Sequence, residues 1–398
     1  MSKIEIQAIK YLHRHIDEIV LLLFSVIGFI VRVCGRNWIS SDMAGYLRPW
    51  YDQIKQNGGL SGLGEQVGNY NSAYQTIIAI LTYLPFGNVY GYKIVSCIFD
   101  YMIAFLVYIF IKKSSKKYQE WQAVLAYGLI LLIPTSFFNS AYWGQCDSIY
   151  SFWCICTILS FICGRYKTAL FLFGIAFGFK LQAIFVLPFI LFIYIYEKRF
   201  SILHFIWIIV GYLFTAIPAL ISGKSLLSLI DIYADQTVAN NNLYLSMPNV
   251  WVILSTDNVK GYWELKPMAI MLAIAILITI YYVVVKIGMT MKPITSISLA
   301  HITVYTCTMF LPAMHERYNY LLVMLSVIIA FLDKKTIPLL AVMSAVELSL
   351  YGLLFGNVLN LQALACFNIL VYFSYIVILF LRENNNSLRE NLAKSFES

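Results

Sequence analysis

The sequence predicts an all-α polytopic membrane protein, and three observations predict it. Of its 398 residues, 60% are hydrophobic and 12% charged, and the mean hydropathy is +0.75. A soluble domain carries about 45–50% apolar and about 25% charged residues. Apolar runs recur along almost the whole chain at lengths suited to crossing a bilayer, for which about 20 residues are needed. The net charge of +8 resides mainly in short Lys/Arg clusters between those runs, a pattern that reports topology rather than a polyanionic ligand. Together they exclude a soluble enzyme, a disordered chain and a nucleic-acid-binding module.

The first run, residues 17–34, follows Lys3, Lys10 and Arg14 and leads into VRVCGRNW without a small-residue cleavage site. It reads as a retained span rather than a removable signal. A polar stretch, 35–71, comes next. Runs follow near 72–86, 92–112, 121–139, 149–163, 167–180, 182–196, 203–222, 267–286, 293–312, 318–332, 335–355 and 362–382. If 72–86 crossed, Lys112, Lys113, Lys116 and Lys117 would fall outside and every later basic loop would invert. If it does not cross, these lysines, Arg165/Lys167, Lys198/Arg199, Lys286/Lys292, Lys334/Lys335 and the tail residues Arg382, Arg389 and Lys394 all fall inside,. That short run, interrupted by Gln75, Thr76 and Thr82, is therefore expected to be re-entrant or interfacial. The chain reads as a single domain, 1–398, of about twelve spans with both ends cytoplasmic. Its large outer loops are 35–91 and 223–266. Within the first, YLRPWYDQIKQ (46–56) suits a helix in the headgroup region, with Pro49 in its first turn,. No internal repeat is evident. The eight cysteines show no zinc or disulfide spacing, and no metal site is indicated,.

In this topology the chemistry-bearing residues share the outer side. Asp42 lies just beyond the first span. Trp143, Gly144, Gln145, Asp147 and Ser148 form one outer turn, Lys180 and Gln182 another, and His315, Glu316 and Arg317 a third. A proton-coupled transporter would keep ionisable groups near the midplane instead. Plainer roles stay open: Asp42 or Asp147 as a helix N-cap, Lys180 as a snorkelling lysine, the HER segment as a solvated turn. His204 and His301 read as structural. Asp100 and Glu347 lie within spans and should face a cavity or a partner, but the sequence does not name one.

The segments SDMAGYLRPW, NYNSAYQ, FNSAYWGQCDSIYSF, GFKLQAIFVLP, SMPNVW and LPAMHERYNYL, in this order over residues 40–320, resemble the membrane-embedded glycosyltransferases of superfamily C. Within it they are most similar to prokaryotic proteins related to GPI mannosyltransferase II. NYNSAY departs from the NYPP-like pattern of those proteins. The resemblance implies a catalytic acid in the long loop after span one, a second large loop after span seven, and a polyprenyl-phosphate-sugar donor in place of a nucleotide sugar. No Gly-rich nucleotide loop occurs here.

On that resemblance, Asp42 is the expected catalytic base and Arg317, His315 and Lys180 surround the donor phosphate. Trp143, Gln145, Asp147, Gln182 and Glu316 contact substrate. Attack of an acceptor hydroxyl on the anomeric carbon needs one base. The departing lipid phosphate is a weak base that needs cations and hydrogen-bond donors rather than a general acid. The expected activity is an inverting, mannosyltransferase-like transfer to a glycan or lipid-linked oligosaccharide, on the extracytoplasmic face of the plasma membrane. A flippase or transporter of lipid-linked sugars is the alternative, and a non-catalytic membrane scaffold a third.

Overall fold

In hydrocarbon every backbone polar group must be satisfied within the protein, and the computed structural model meets this demand with helices. It describes residues 1–114, 120–255, 258, 261–356, 358 and 360–397. Lys116 and Lys117 lie outside the described residues, as do the side chains of Arg389 and Lys394. After α1 (Lys3–Arg14) and α2 (Ile16–Cys34), a π-helical turn (Met43–Leu47) runs into α3 (Arg48–Gln56), and α4 (Ser72–Leu81) follows. Next come α5 (Gly87–Ser114), α6 (Trp121–Leu132), the short α7 (Pro134–Phe137) with a π-helical turn to Trp143, α8 (Asp147–Ile162) and α9 (Tyr166–Phe179). Then α10 (Leu187–Glu197), α11 (Ile206–Ile221), α12 (Leu226–Val238) and α13 (Val250–Leu254) lead to α14 (Tyr262–Ile287), α15 (Pro293–Phe310), α16 (Tyr320–Leu332), α17 (Ile337–Tyr351) and α18 (Leu361–Glu397). The strands described, β1 (Tyr244–Leu245) and β2 (Met314–His315), are two residues each and pair in parallel.

Among the described residues, four helical stretches are long and apolar enough to cross a membrane: Gly87–Ser114, Ile202–Ile221, Tyr262–Ile287 and Leu361–Arg382. The pair Trp121–Leu132 and Pro134–Trp143, bent by 45°, meets the same measure only when taken together, as a broken span or a re-entrant segment. The bend falls at Ile133, whose extended backbone (ψ 134°) is what the following proline imposes,. Other apolar helices are shorter. At 1.5 Å per residue, the 16 residues of α8 rise about 24 Å and the ten of α4 about 15 Å,. Against a hydrocarbon core of about 30 Å, α4 is too short to cross. It is packed beneath α3 instead, where Tyr51 donates to the Leu81 carbonyl (3.3 Å) and Tyr74 and Ile78 are buried. The expected interfacial helix is α3, with Pro49 in its first turn and Tyr51 and Ile54 turned inward.

Successive helices run up and down. The ends of α8 and α10 meet the starts of α9 and α11 in one aromatic cluster, Phe161, Tyr166, Tyr194, Phe200 and Phe205. Close by in sequence stand Arg165, Lys167, Lys198 and Arg199. At the same end Tyr196 donates to the Met289 carbonyl (2.8 Å), and Arg382 approaches Asp333 (3.8 Å). The candidate site residues occupy the opposite end.

Two contacts fix the bundle. The first is steric: a Cβ on Gly174 would lie 2.2 Å from the Ile208 carbonyl, and one on Gly211 2.1 Å from the Phe171 carbonyl. Backbones of α9 and α11 thus touch, as small residues permit between membrane helices. The second is electrostatic. Asp100, fully buried in α5, accepts from Arg32 Nε (3.0 Å), Arg32 Nη2 (2.7 Å), Ser140 Oγ (2.5 Å) and Tyr320 Oη (2.6 Å). Arg32 also donates to the carbonyls of Gly28 and Leu131 and to Ser136 Oγ. Four separate segments therefore converge on one carboxylate. Glu347 likewise accepts from Asn319 (2.8 Å), and His301 is buried against Ser326 and Tyr375.

Gly211→Leu is expected to lower stability by about 1–3 kcal/mol, the usual range for overpacking, in thermal unfolding of the detergent-solubilised protein. Gly45→Ala, where an added Cβ meets nothing within 4 Å, is the control. Asp100→Ala strands a buried guanidinium and should cost about 3–5 kcal/mol, more than Arg36→Ala at an exposed arginine.

Candidate functional site

The segment between α2 and the π-helical turn sets the first carboxylate. Ser40 Oγ accepts from the Met43 amide (3.1 Å) and donates to the Trp143 carbonyl (3.1 Å). Ser40, not Asp42, therefore performs the capping role, and the Asp42 side chain makes no cap. Its Oδ2 instead accepts from Gln145 Nε2 (2.8 Å) and Arg317 Nη1 (3.0 Å), while Oδ1 has no hydrogen-bond partner among the described residues.

Gln145 is held on four sides. Its amide donates to the Asn139 carbonyl (3.0 Å), its carbonyl accepts from Ser96 Oγ (2.6 Å), and its Oε1 accepts from Tyr70 Oη (2.9 Å). The fourth bond is the one to Asp42. Gly144 makes this turn possible. Its φ is +75°, and an added Cβ would lie 2.4 Å from Met43 Cε. The preceding Trp143 offers its ring to the Arg317 guanidinium at 5.6 Å, a cation–π contact.

Asp147 begins α8 but points inward. Its Oδ1 is paired with Lys180 Nζ, and Oδ2 accepts from Asn139 Nδ2 (3.1 Å). Lys180 is itself buried and lies over the rings of Tyr318 (5.3 Å) and Tyr150 (5.6 Å). It is not a snorkelling lysine. Exposure separates the two ion pairs: the Asp147 and Lys180 side chains are 0% and 7% exposed, Asp42 and Arg317 24% and 14%. The first pair is sealed in protein and the second faces an opening.

That opening is a cavity of about 640 Å³ with Asp42, Trp143, His315, Glu316 and Arg317 on its wall, joined by Trp38, Ile39, Leu245 and Ser246. Gln145, Asp147, Lys180 and Gln182 are not on the wall. Gln145 supports Asp42 from behind, whereas Gln182 makes no side-chain hydrogen bond among the described residues. The segment carrying β1 forms the far wall, because β1 pairs with β2 in the register Leu245↔His315. His315 stands 3.7 Å from Glu316, beyond hydrogen-bond length, and its ring meets Tyr318 edge-on. Two donors at the cavity remain buried without a partner among the described residues, Arg317 Nε and Trp143 Nε1.

The structure thus gathers Asp42, Trp143, His315, Glu316 and Arg317 around one space, with Gln145, Asp147 and Lys180 as the layer beneath. It adds residues that the sequence reading did not single out: Ser40, Tyr70, Ser96 and Asn139. Tyr70 and Asn139 stand inside NYNSAYQ and FNSAYW, so motif membership marked them. Ser96, within an apolar helix, carried no signal. The segment before α4 is also tied to the one around α12, since Asn71 Nδ2 donates to Tyr233 Oη (2.9 Å) and Lys224 to Gln66 Oε1 (2.6 Å). Among the described residues, no three His, Cys, Asp or Glu side chains converge as metal ligands would. No family model and no curated protein matches this chain.

Gly144→Ala should unseat the Gln145 turn and lower the melting temperature more than Gly164→Ala does. At Gly164 φ is +69° but nothing lies within 4 Å, so that variant carries only the backbone cost of about 1–2 kcal/mol. Equal losses in the two variants would show that the Met43 contact is soft.

Proposed function

We propose that the protein is an inverting glycosyltransferase that takes a hexose, mannose-like in the resembling proteins, from a polyprenyl-phosphate donor. The acceptor is a hydroxyl of a glycan or glycolipid. The observation that carries this reading is one guanidinium shared between a half-free carboxylate and an open cavity. Arg317 Nη1 is committed to Asp42 Oδ2, while its side chain lines the cavity and its buried Nε has no partner among the described residues. Arginine binds phosphate through parallel N–H donors in a fixed fork. A donor phosphate on the free edge of Arg317 would then stand beside the base that serves the acceptor.

The step is a direct displacement. The acceptor oxygen attacks the anomeric carbon as its proton passes to Asp42 Oδ1. The bond from that carbon to the phosphate oxygen breaks, and the electron pair leaves with polyprenyl phosphate. Arg317 stabilises that developing charge in a partly desolvated site, and the Trp143 N–H is a further donor there. Attack opposite the leaving group inverts the anomeric configuration. Lys180 and Asp147 act at one remove, neutralising each other while fixing Asn139 and hence the Gln145 turn.

The site faces outward in this reading. The basic loops at the end remote from it mark the cytoplasmic side by the positive-inside rule. About twelve spans in the plasma membrane, with α4 re-entrant, satisfy that rule. The shorter helices would cross where neighbouring protein thins or lines the bilayer.

Asp42→Asn keeps shape but cannot take a proton, so turnover at saturating substrates should fall about 10²–10⁴-fold with little change in thermal stability. Full activity in that variant would remove the base. Arg317→Lys keeps the charge and loses the fork, and its donor KM should rise or its rate fall markedly. On a cysteine-free background, Val89→Cys and Lys113→Cys should label from opposite faces. Labelling of both from one face would overturn the topology.

A further inference from the structure

We infer that the acceptor is anchored by a lipid phosphate whose tail lies in the groove between α2 and α5 and whose phosphate meets Arg36. This rests on the transferase reading and names the acceptor class for the same site. The groove has a volume of about 680 Å³, with Phe29 and Val33 of α2 on one side and Ile94, Ile98 and Phe105 of α5 on the other. Phe29, Ile98 and Phe105 are all more than half exposed. From Tyr90 to Phe105 the groove runs about 22 Å at 1.5 Å per residue, most of the roughly 30 Å hydrocarbon depth. Its floor is fixed: Arg32 and Asp100 join the two helices, and Tyr101 Oη donates to the Ser25 carbonyl (2.7 Å). The cleft is thus built into the bundle.

Charge selects the occupant. Of the cations on the groove, Arg32 is consumed by Asp100, and Lys93 Nζ donates to the carbonyls of Gly35 (2.8 Å), Arg36 (3.3 Å) and Trp38 (2.5 Å). Arg36, at the outer mouth, is exposed. Its guanidinium makes one hydrogen bond, to the Val33 carbonyl at the end of α2 (3.1 Å), and meets no carboxylate among the described residues. An apolar slot ending in such a cation is complementary to an anionic headgroup on a long apolar chain.

Continuity selects the role. Arg36 and Tyr90 also line a small cavity of about 180 Å³ with Asn37, Ile39 and Asn88. Ile39 in turn lines the cavity holding Asp42 and Arg317. A headgroup seated at Arg36 therefore has a path past Ile39, along residues 36–42, to the base. The phosphate at Arg36 is not the leaving group, which must touch the anomeric carbon and so lie within the Asp42 cavity, where Arg36 has no surface. It belongs to the other substrate.

The test uses the full-length protein with one saccharide supplied either free or as its polyprenyl-diphosphate conjugate, and a photoreactive analogue of that conjugate as binding probe. Wild type should use the conjugate and hardly the free sugar. In Arg36→Gln and in Ile98→Trp, which fills the slot, the KM for the conjugate should rise about tenfold or more relative to the donor KM, as loss of a charge-assisted hydrogen bond implies. Probe labelling of α5 peptides should fall in step. Equal use of the free saccharide, or an unchanged conjugate KM in both variants, overturns the acceptor site and leaves the transferase standing. Labelling of α5 without sugar transfer to any acceptor overturns the transferase reading, and the acceptor role with it.

Discussion

A charge withdrawn from water must find its counter-charge inside the protein, and that constraint organises this molecule. Three carboxylates do so in three ways. Asp100 gathers Arg32, Ser140 and Tyr320 from three other parts of the chain, so helices far apart in sequence are pinned at one point. Asp147 is closed against Lys180 and Asn139. Asp42 meets Arg317 and Gln145 through a single oxygen and keeps the other. Removing either member of a sealed pair leaves an unpaired buried charge, which is far more costly than the pair itself is stabilising.

The three pairs form a gradient from structure to chemistry. Asp100 lies inside the bundle, Asp147 one layer beneath the cavity, Asp42 on its wall. The layers are coupled by short connections. Asn139 joins Asp147 to the Gln145 turn, Ser96 joins that turn to α5, and Tyr70 joins it to the loop preceding α4. A site on rigid elements with its supports locked holds its groups in a narrower range of positions than one on free loops. The parallel pairing of β1 with β2 then lays the segment between α12 and α13 against the same cavity.

Much of this was legible in the sequence. Hydrophobic excess gave the helical class, and most helix bounds follow the apolar runs closely. Motif segments named Asp42, Trp143, Gln145, Asp147, Lys180, His315, Glu316 and Arg317, eight of the nine site candidates now found in or beneath one site. Gln182 is the exception, and nothing in its spacing distinguishes it from its neighbours. The sequence left Asp42 and Lys180 open between functional and plain roles. Ser40, two residues earlier and equally suited to capping, turned out to hold the cap.

Composition and charge order are sums over the chain, so the sequence by itself determined that this is a helical membrane protein with its ionisable motifs sharing one end. Which charge meets which is a matter of contact between residues as far apart as Asp42 and Arg317, or Arg32 and Asp100. Such pairings depend on helix rotation, on backbone approach at Gly174 and Gly211, and on the Met43 side chain reaching Gly144, where a single missing Cβ lets two segments touch. No local pattern encodes that. Only the tertiary structure decided that one aspartate would be locked into the bundle, another sealed beneath the site, and the third left with an oxygen facing open space.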